Sequence, residues 1–169
     1  ERNLTESIWW ARYFRGLAAY QAGDMAAAEH DFAAVVEQRY VAHSQPFTQS
    51  AYGLASVWQA QGAGEAALAL IESVLAYGME IDNAQVQTDA QAFQAWLALS
   101  QGRQAAALRW AVAVDLDAPL IPMTTFHVAF ISLAKVLLSD QSPASQEKAA
   151  HLLARLRSHV EGASNTRFQ

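Results

Sequence analysis

One short phrase recurs along the chain: Gly23-Asp24-Met25-Ala26-Ala27-Ala28-Glu29-His30-Asp31-Phe32, then Gly62-Ala63-Gly64-Glu65-Ala66-Ala67-Leu68-Ala69-Leu70-Ile71, then Gly102-Arg103-Gln104-Ala105-Ala106-Ala107-Leu108-Arg109-Trp110-Ala111. Each copy opens on a glycine and reaches a small residue, Ala28, Ala67 or Ala107, five positions later. Four beyond the alanine stand Phe32, Ile71 and Ala111, and seven beyond stand Val35, Val74 and Val114. A fourth copy reads Ala149, Leu153 and Leu156, with the polar loop from Ser139 to Pro143 in place of the glycine. Offsets of four and seven fall on one helix face. The alanines are separated by 39, 40 and 42 residues, which is the signature of a structural repeat. The alanine lets the two helices of a hairpin approach closely, and the larger residues fill the space between neighbouring hairpins.

Outward from these phrases the chain reads as helix. Ala, Leu, Gln, Glu and Arg dominate, all good helix formers, and no segment alternates apolar and polar residues as a half-buried strand would. Breaks fall at Gly23-Asp24, at His43 to Pro46, at Gly62 to Gly64, from Gly78 to Asn83, at Gly102, from Asp115 to Pro122 and from Ser139 to Pro143. Asp24 is suited to cap the helix that follows it. Ser142 fits an N-cap with Pro143 in the first turn. The breaks predict eight helices near residues 5–22, 24–41, 45–61, 64–77, 84–101, 103–114, 122–139 and 143–160. They pair into hairpins 5–41, 45–77, 84–114 and 122–160 of a single domain spanning 1–169. Hairpins of this kind bury their apolar faces only by stacking. The expectation is therefore an all-α fold, a right-handed α-solenoid of four tetratricopeptide-like hairpins. Its repeat of about 40 residues exceeds the usual 34 or so. The alternative is a non-repeating bundle of alanine-rich helices.

Composition excludes several classes. Alanine makes up 36 of 169 residues, hydrophobic residues are 53% and charged residues only 16%, which is the reverse of a disordered chain. Without cysteine there is no disulfide framework, thiolate zinc site or thiol nucleophile. Eleven basic residues against sixteen acidic ones leave a net charge of −5, and the basic side chains are scattered. Direct binding of nucleic acid by this segment is not expected. The longest apolar run, Ala66 to Ile71, is far short of the ~20 residues of a membrane span. No signal peptide opens the chain. It starts at Glu1 without an initiator methionine, and it reads as a segment of a longer cytoplasmic protein.

Three stretches carry a family resemblance: Gly16-Leu17-Ala18-Ala19-Tyr20-Gln21-Ala22-Gly23-Asp24, Gly53-Leu54-Ala55-Ser56-Val57-Trp58-Gln59-Ala60-Gln61-Gly62 and Gln101 to Ala111. They resemble the superhelical sensor region of MalT-type, ATP-dependent transcriptional regulators of the LuxR family, over roughly residues 7 to 160. In that family a nucleotide-binding switch domain precedes the repeats and a helix-turn-helix follows them. The resemblance implies an effector-sensing segment that binds a small inducer or a protein partner and that can take part in self-association. The chain has no Gly-x-x-x-x-Gly-Lys-Ser/Thr phosphate loop and no recognisable DNA-reading helix. No cofactor is therefore expected in this segment, and any DNA contact would fall to a separate C-terminal domain.

No catalytic or metal-binding pattern stands out. His30, His43, His127, His151 and His159 form no His-Glu-x-x-His motif. No Gly-x-Ser-x-Gly elbow frames a serine. The pairs Glu80/Asp82 and Asp115/Asp117 fall in predicted links, where capping and solvation explain them. The chain reads as a non-enzyme. In a solenoid the first helix of each hairpin lines the concave surface. With the repeating alanine as anchor, that surface takes Trp10, Tyr13 and Leu17 from the first hairpin and Gln49, Tyr52, Ser56 and Gln59 from the second. It takes Asp89, Ala92, Phe93 and Trp96 from the third and His127, Ile131 and Lys135 from the fourth. The expected ligand contacts are Trp10, Tyr13, Gln49, Tyr52, Asp89, Phe93, Trp96 and His127. Aromatic faces with amides suit a sugar-like or small amphipathic molecule. The competing reading for each aromatic residue is packing within the core. A tetratricopeptide scaffold for a peptide or protein, unrelated to transcription, is the alternative function.

Overall fold

The structure, a computed structural model, describes residues 2–116 and 126–165. Those residues form eight helices and no strand: α1 (Arg2–Gln21), α2 (Met25–Val36), α3 (Ser44–Ala60), α4 (Gly64–Glu80), α5 (Ala84–Ser100), α6 (Gln104–Ala113), α7 (Ala129–Ser139) and α8 (Pro143–Asn165). The protein is all-helical, as its composition predicts.

Four junctions share one geometry. Gly23, Gly62 and Gly102 have φ of 81°, 84° and 75°, and Asp82 takes the same left-handed turn with φ 51°. At each, the next N–H reaches back five residues, as in Asp24 to Ala19 (2.9 Å), Ala63 to Trp58 (2.8 Å), Asn83 to Gly78 (2.9 Å) and Arg103 to Ala98 (2.8 Å). This closes the orphaned carbonyls of the preceding helix in a Schellman motif. At two of these junctions a side chain then caps the next helix. The Asp24 side chain accepts from the Ala27 N–H and that of Asn83 from the Val86 N–H. The Ser142 hydroxyl accepts from the Ser145 N–H ahead of α8.

Each helix packs against the next, α6 also meets α7, and α1·α3, α3·α5 and α5·α7 touch along the series. The core is correspondingly divided. One cluster centres on Tyr13, Ala28, Phe32, Leu54 and Val57. The next holds Phe47, Tyr52, Ala67, Ile71 and Phe93, and the last holds Ala98, Ala107, Leu133 and Leu152. The repeating Ala28, Ala67, Ala107 and Ala149 are all fully buried.

Several expectations need correction. α2 stops at Val36 rather than near 41. Beyond it Gln38 accepts from both Val41 and Ala42, and Arg39 turns out to pair with Glu80 at 2.7 Å and to lie over the Tyr40 and Tyr77 rings. Gly78 is not part of a break. It lies inside α4, where a Cβ would come 3.2 Å from the Gln87 backbone nitrogen. α7 begins at Ala129 rather than 122. Residues 122–125 lie outside the described residues, and 126–128 are not helical, with Val128 extended at φ −121°. The fourth repeat copy also departs from the pattern: Leu153 is exposed and Leu152 faces inward. Among the described residues α8 packs on α7 alone, so Leu153 finds no further helix to cover it.

Candidate functional site

The break before α7 borders a cavity. The chain crosses the first turns of α3 and α5 in extended form. The His127 backbone N–H, having no helical acceptor, donates to Gln49 Oε1 at 3.1 Å. Phe126 turns the other way and sets its ring edge-on to Phe32 (5.8 Å) and Tyr20 (5.1 Å). Between this crossing, α3, α5 and the end of α6 lies a cavity of about 670 Å³, within the range of small-molecule sites.

Its two faces differ in chemistry. The polar face comes from the first turns of α3 and α5: Gln45, Thr48 and Gln49, and Gln85, Thr88 and Asp89. These two sets are register-equivalent, each residue forty positions from its counterpart. Forty further on stand Val128 and Ala129, which also line the cavity. Three successive repeats thus contribute the same position to one space. The apolar face comes from Trp110 and Val114 of the α6 end and from Phe130 and Leu133 of α7.

Asp89 is the acidic group of the polar face. Its Oδ1 accepts from Gln85 Nε2 at 3.0 Å, an i to i+4 contact along α5. Burial pushes its carboxyl up to about 6, against the pull of that hydrogen bond. His127 is buried, and burial, aided by the charge of Lys135, holds its imidazole down at about 3 despite a hydrogen bond to the Asp89 backbone. The ring is neutral at pH 7. Behind it stand Tyr52 and Phe93, stacked on each other at 4.9 Å, with ring centroids 5.1 Å and 4.9 Å from His127. The Tyr52 hydroxyl is fully buried and makes no hydrogen bond among the described residues. Burial first, and the nearby Asp89 charge second, raise it well above the usual phenol range.

The eight expected contact residues therefore separate into groups. Gln49, Asp89 and His127 meet in the cavity wall. Tyr52 and Phe93 are core residues that back His127, and Trp96 is half-buried against Phe93 at 4.9 Å. Trp10 and Tyr13 are elsewhere. Tyr13 is fully buried in the first core cluster, and Trp10, half-buried, stacks on Phe14 at 5.7 Å. Trp58 is also committed to packing, with its indole N–H donating to Glu29 at 2.9 Å. The wall residues missed in the sequence are Gln45, Thr48, Gln85 and Thr88 on one side and Trp110, Val114, Phe130 and Leu133 on the other. The forty-residue match of the first four was a usable signal. The second four had none, because their convergence depends on the extended crossing at 126–128.

Among the described residues no group of three or more His, Asp or Glu side chains is placed to hold a metal ion, and no helix is long and apolar enough to cross a membrane. Compared with protein-family profiles, with curated proteins and with solved structures, the chain matches none.

Proposed function

We propose that this chain is a right-handed α-solenoid of tetratricopeptide type. In this reading it acts as the non-catalytic, effector-sensing segment of a MalT-like regulator of the LuxR family and receives a small molecule in the cavity between its second, third and fourth hairpins. The observation that carries the ligand reading is the cavity itself, of about 670 Å³, polar on one face and apolar on the other. The solenoid reading is supported by the order of helix contacts and by the four Schellman junctions. The non-catalytic reading is supported by the state of His127. Its backbone N–H is taken by Gln49, its imidazole engages the Asp89 backbone, and its depressed pKa makes it a weak base at neutral pH.

Two experiments test the reading. A screen for small molecules that raise the melting temperature should find binders, since a ligand at 100 times its dissociation constant adds about 2.7 kcal/mol. Ala129→Phe, which fills the cavity from α7, should abolish that shift while leaving helix content intact. A screen in which nothing stabilises the wild type, or in which Ala129→Phe responds equally, overturns the ligand reading. The regulator half is tested by the coding sequence on either side. A phosphate loop upstream and a helix-turn-helix downstream support it, and flanks carrying neither refute it.

A further inference from the structure

One carboxylate of the cavity lining makes no ion pair among the described residues. Of the lining side chains, none is Lys or Arg. Among the described residues the Asp89 carboxylate makes no ion pair, and its hydrogen bond comes from the neutral amide of Gln85. A half-buried carboxylate in a partly apolar space pays a desolvation penalty that a cation removes. Opposite the polar face stand Trp110 and Phe130, whose ring faces attract an organic cation as well as its hydrocarbon body.

From this we infer that the cavity is a site for an amphipathic organic ammonium ion, with its ammonium at the Asp89 carboxylate and its aryl or alkyl body against Trp110, Phe130 and Leu133. This rests on the small-molecule reading above and adds the ligand's chemical class. The first turns of α3 and α5 also face the cavity, and helix N-termini favour anions. At both, however, a side chain already serves an end amide: His43 Nδ1 accepts from Gln45, and Asn83 Oδ1 accepts from Val86. What a helix end offers is a partial charge, whereas Asp89 offers a full one. The C-terminal end of α6 also borders this space, with Ala113 and Val114 in the lining, and a helix C-terminus favours a cation.

The test uses three probes of one shape: 2-phenylethylammonium, 2-phenylethanol and 3-phenylpropanoate. Binding to the whole chain is followed by Trp fluorescence and by calorimetry, up to about 20 mM. The ammonium should bind at least about tenfold more tightly than the alcohol, as a charge-assisted contact requires, and the carboxylate should bind most weakly. Asp89→Asn, nearly the same shape, should remove that tenfold preference and leave alcohol affinity within about twofold. If the alcohol or the carboxylate binds as well as the ammonium, or if Asp89→Asn leaves the preference intact, the inference is overturned while the small-molecule reading stands. Failure of all three probes overturns both. The comparison among probes on the wild type needs no variant, so a folding defect in Asp89→Asn leaves the test decisive.

Discussion

Gly53→Ala tests how closely the first two hairpins approach. The Phe32 ring of α2 lies between Gly16 of α1 and Gly53 of α3. A Cβ at Gly53 would stand 2.5 Å from Phe32 Cε2 and 2.6 Å from Cζ, and one at Gly16 would stand 2.8 Å from Cδ1 and Cε1. The ring cannot swing clear, because it is fully buried with Tyr13 and Phe126 against it at centroid distances of 6.4 Å and 5.8 Å. Alanine gains about 1 kcal/mol over glycine in a helix interior. Forcing a methyl group into a packed core costs about 1–3 kcal/mol, and contacts this short belong at the upper end. The expected net result is a loss of about 1–2 kcal/mol in urea unfolding followed by far-UV circular dichroism, with the denaturant slope unchanged. Gly162→Ala in α8 is the control, since nothing lies within 4 Å of a Cβ there. It should gain up to about 1 kcal/mol. Adding Phe32→Leu to Gly53→Ala should show a coupling of at least about 1 kcal/mol. If Gly53→Ala stabilises the chain as Gly162→Ala does, Phe32 is not wedged between the two helices and the packing of the first hairpins is wrong.

Two further outcomes follow from the cavity region. Tyr52→Phe removes a fully buried hydroxyl that makes no hydrogen bond among the described residues, so it should raise stability by about 1 kcal/mol; an equal loss would mean the hydroxyl has a partner. Acid titration of stability should show Asp89 and His127 opposing each other. The His127 pKa is depressed in the folded chain, so its contribution is lost as pH falls from about 6.5 towards 3. The Asp89 pKa is raised, so folding gains as pH falls from about 6 to about 4. Each contributes a slope of about 1.4 kcal/mol per pH unit, with opposite sign. Asp89→Asn should therefore lose stability relative to wild type between pH 6 and 4, after starting out more stable at pH 7, and parallel profiles would refute the assignment.

Much of the fold is legible in the sequence because its determinants are local. A glycine with positive φ and a small alanine five positions on fix each hairpin at Gly23, Gly62 and Gly102, with a side-chain cap added at Asp24. Where boundaries fail, a longer-range contact intervenes. Arg39 leaves the end of α2 for Glu80, and His127 gives its N–H to Gln49 instead of starting α7 early. The site is legible only in part for the same reason. Heptad-like spacing puts Gln49, Tyr52, Asp89 and Phe93 on one side of their helices, but it does not separate the first two turns, which line the cavity, from later turns, which are covered by the next hairpin. Polar Gln49 and Asp89 lie in the first two turns and line the cavity, whereas Tyr52 and Phe93 lie one turn deeper in the core. Tyr13 is buried behind Phe126 in the first core cluster and Trp10 stacks on Phe14, so neither lines the cavity.

The most direct test of the central claim, that the space between the second, third and fourth hairpins takes a small molecule, is amide chemical-shift mapping by NMR with a compound that stabilises the chain. The predicted result is a contiguous set of shifted amides at Thr48, Gln49, Thr88, Asp89, Val114 and Phe130. Shifts confined to α1 and α2 or to α8, with these six unmoved, would contradict it.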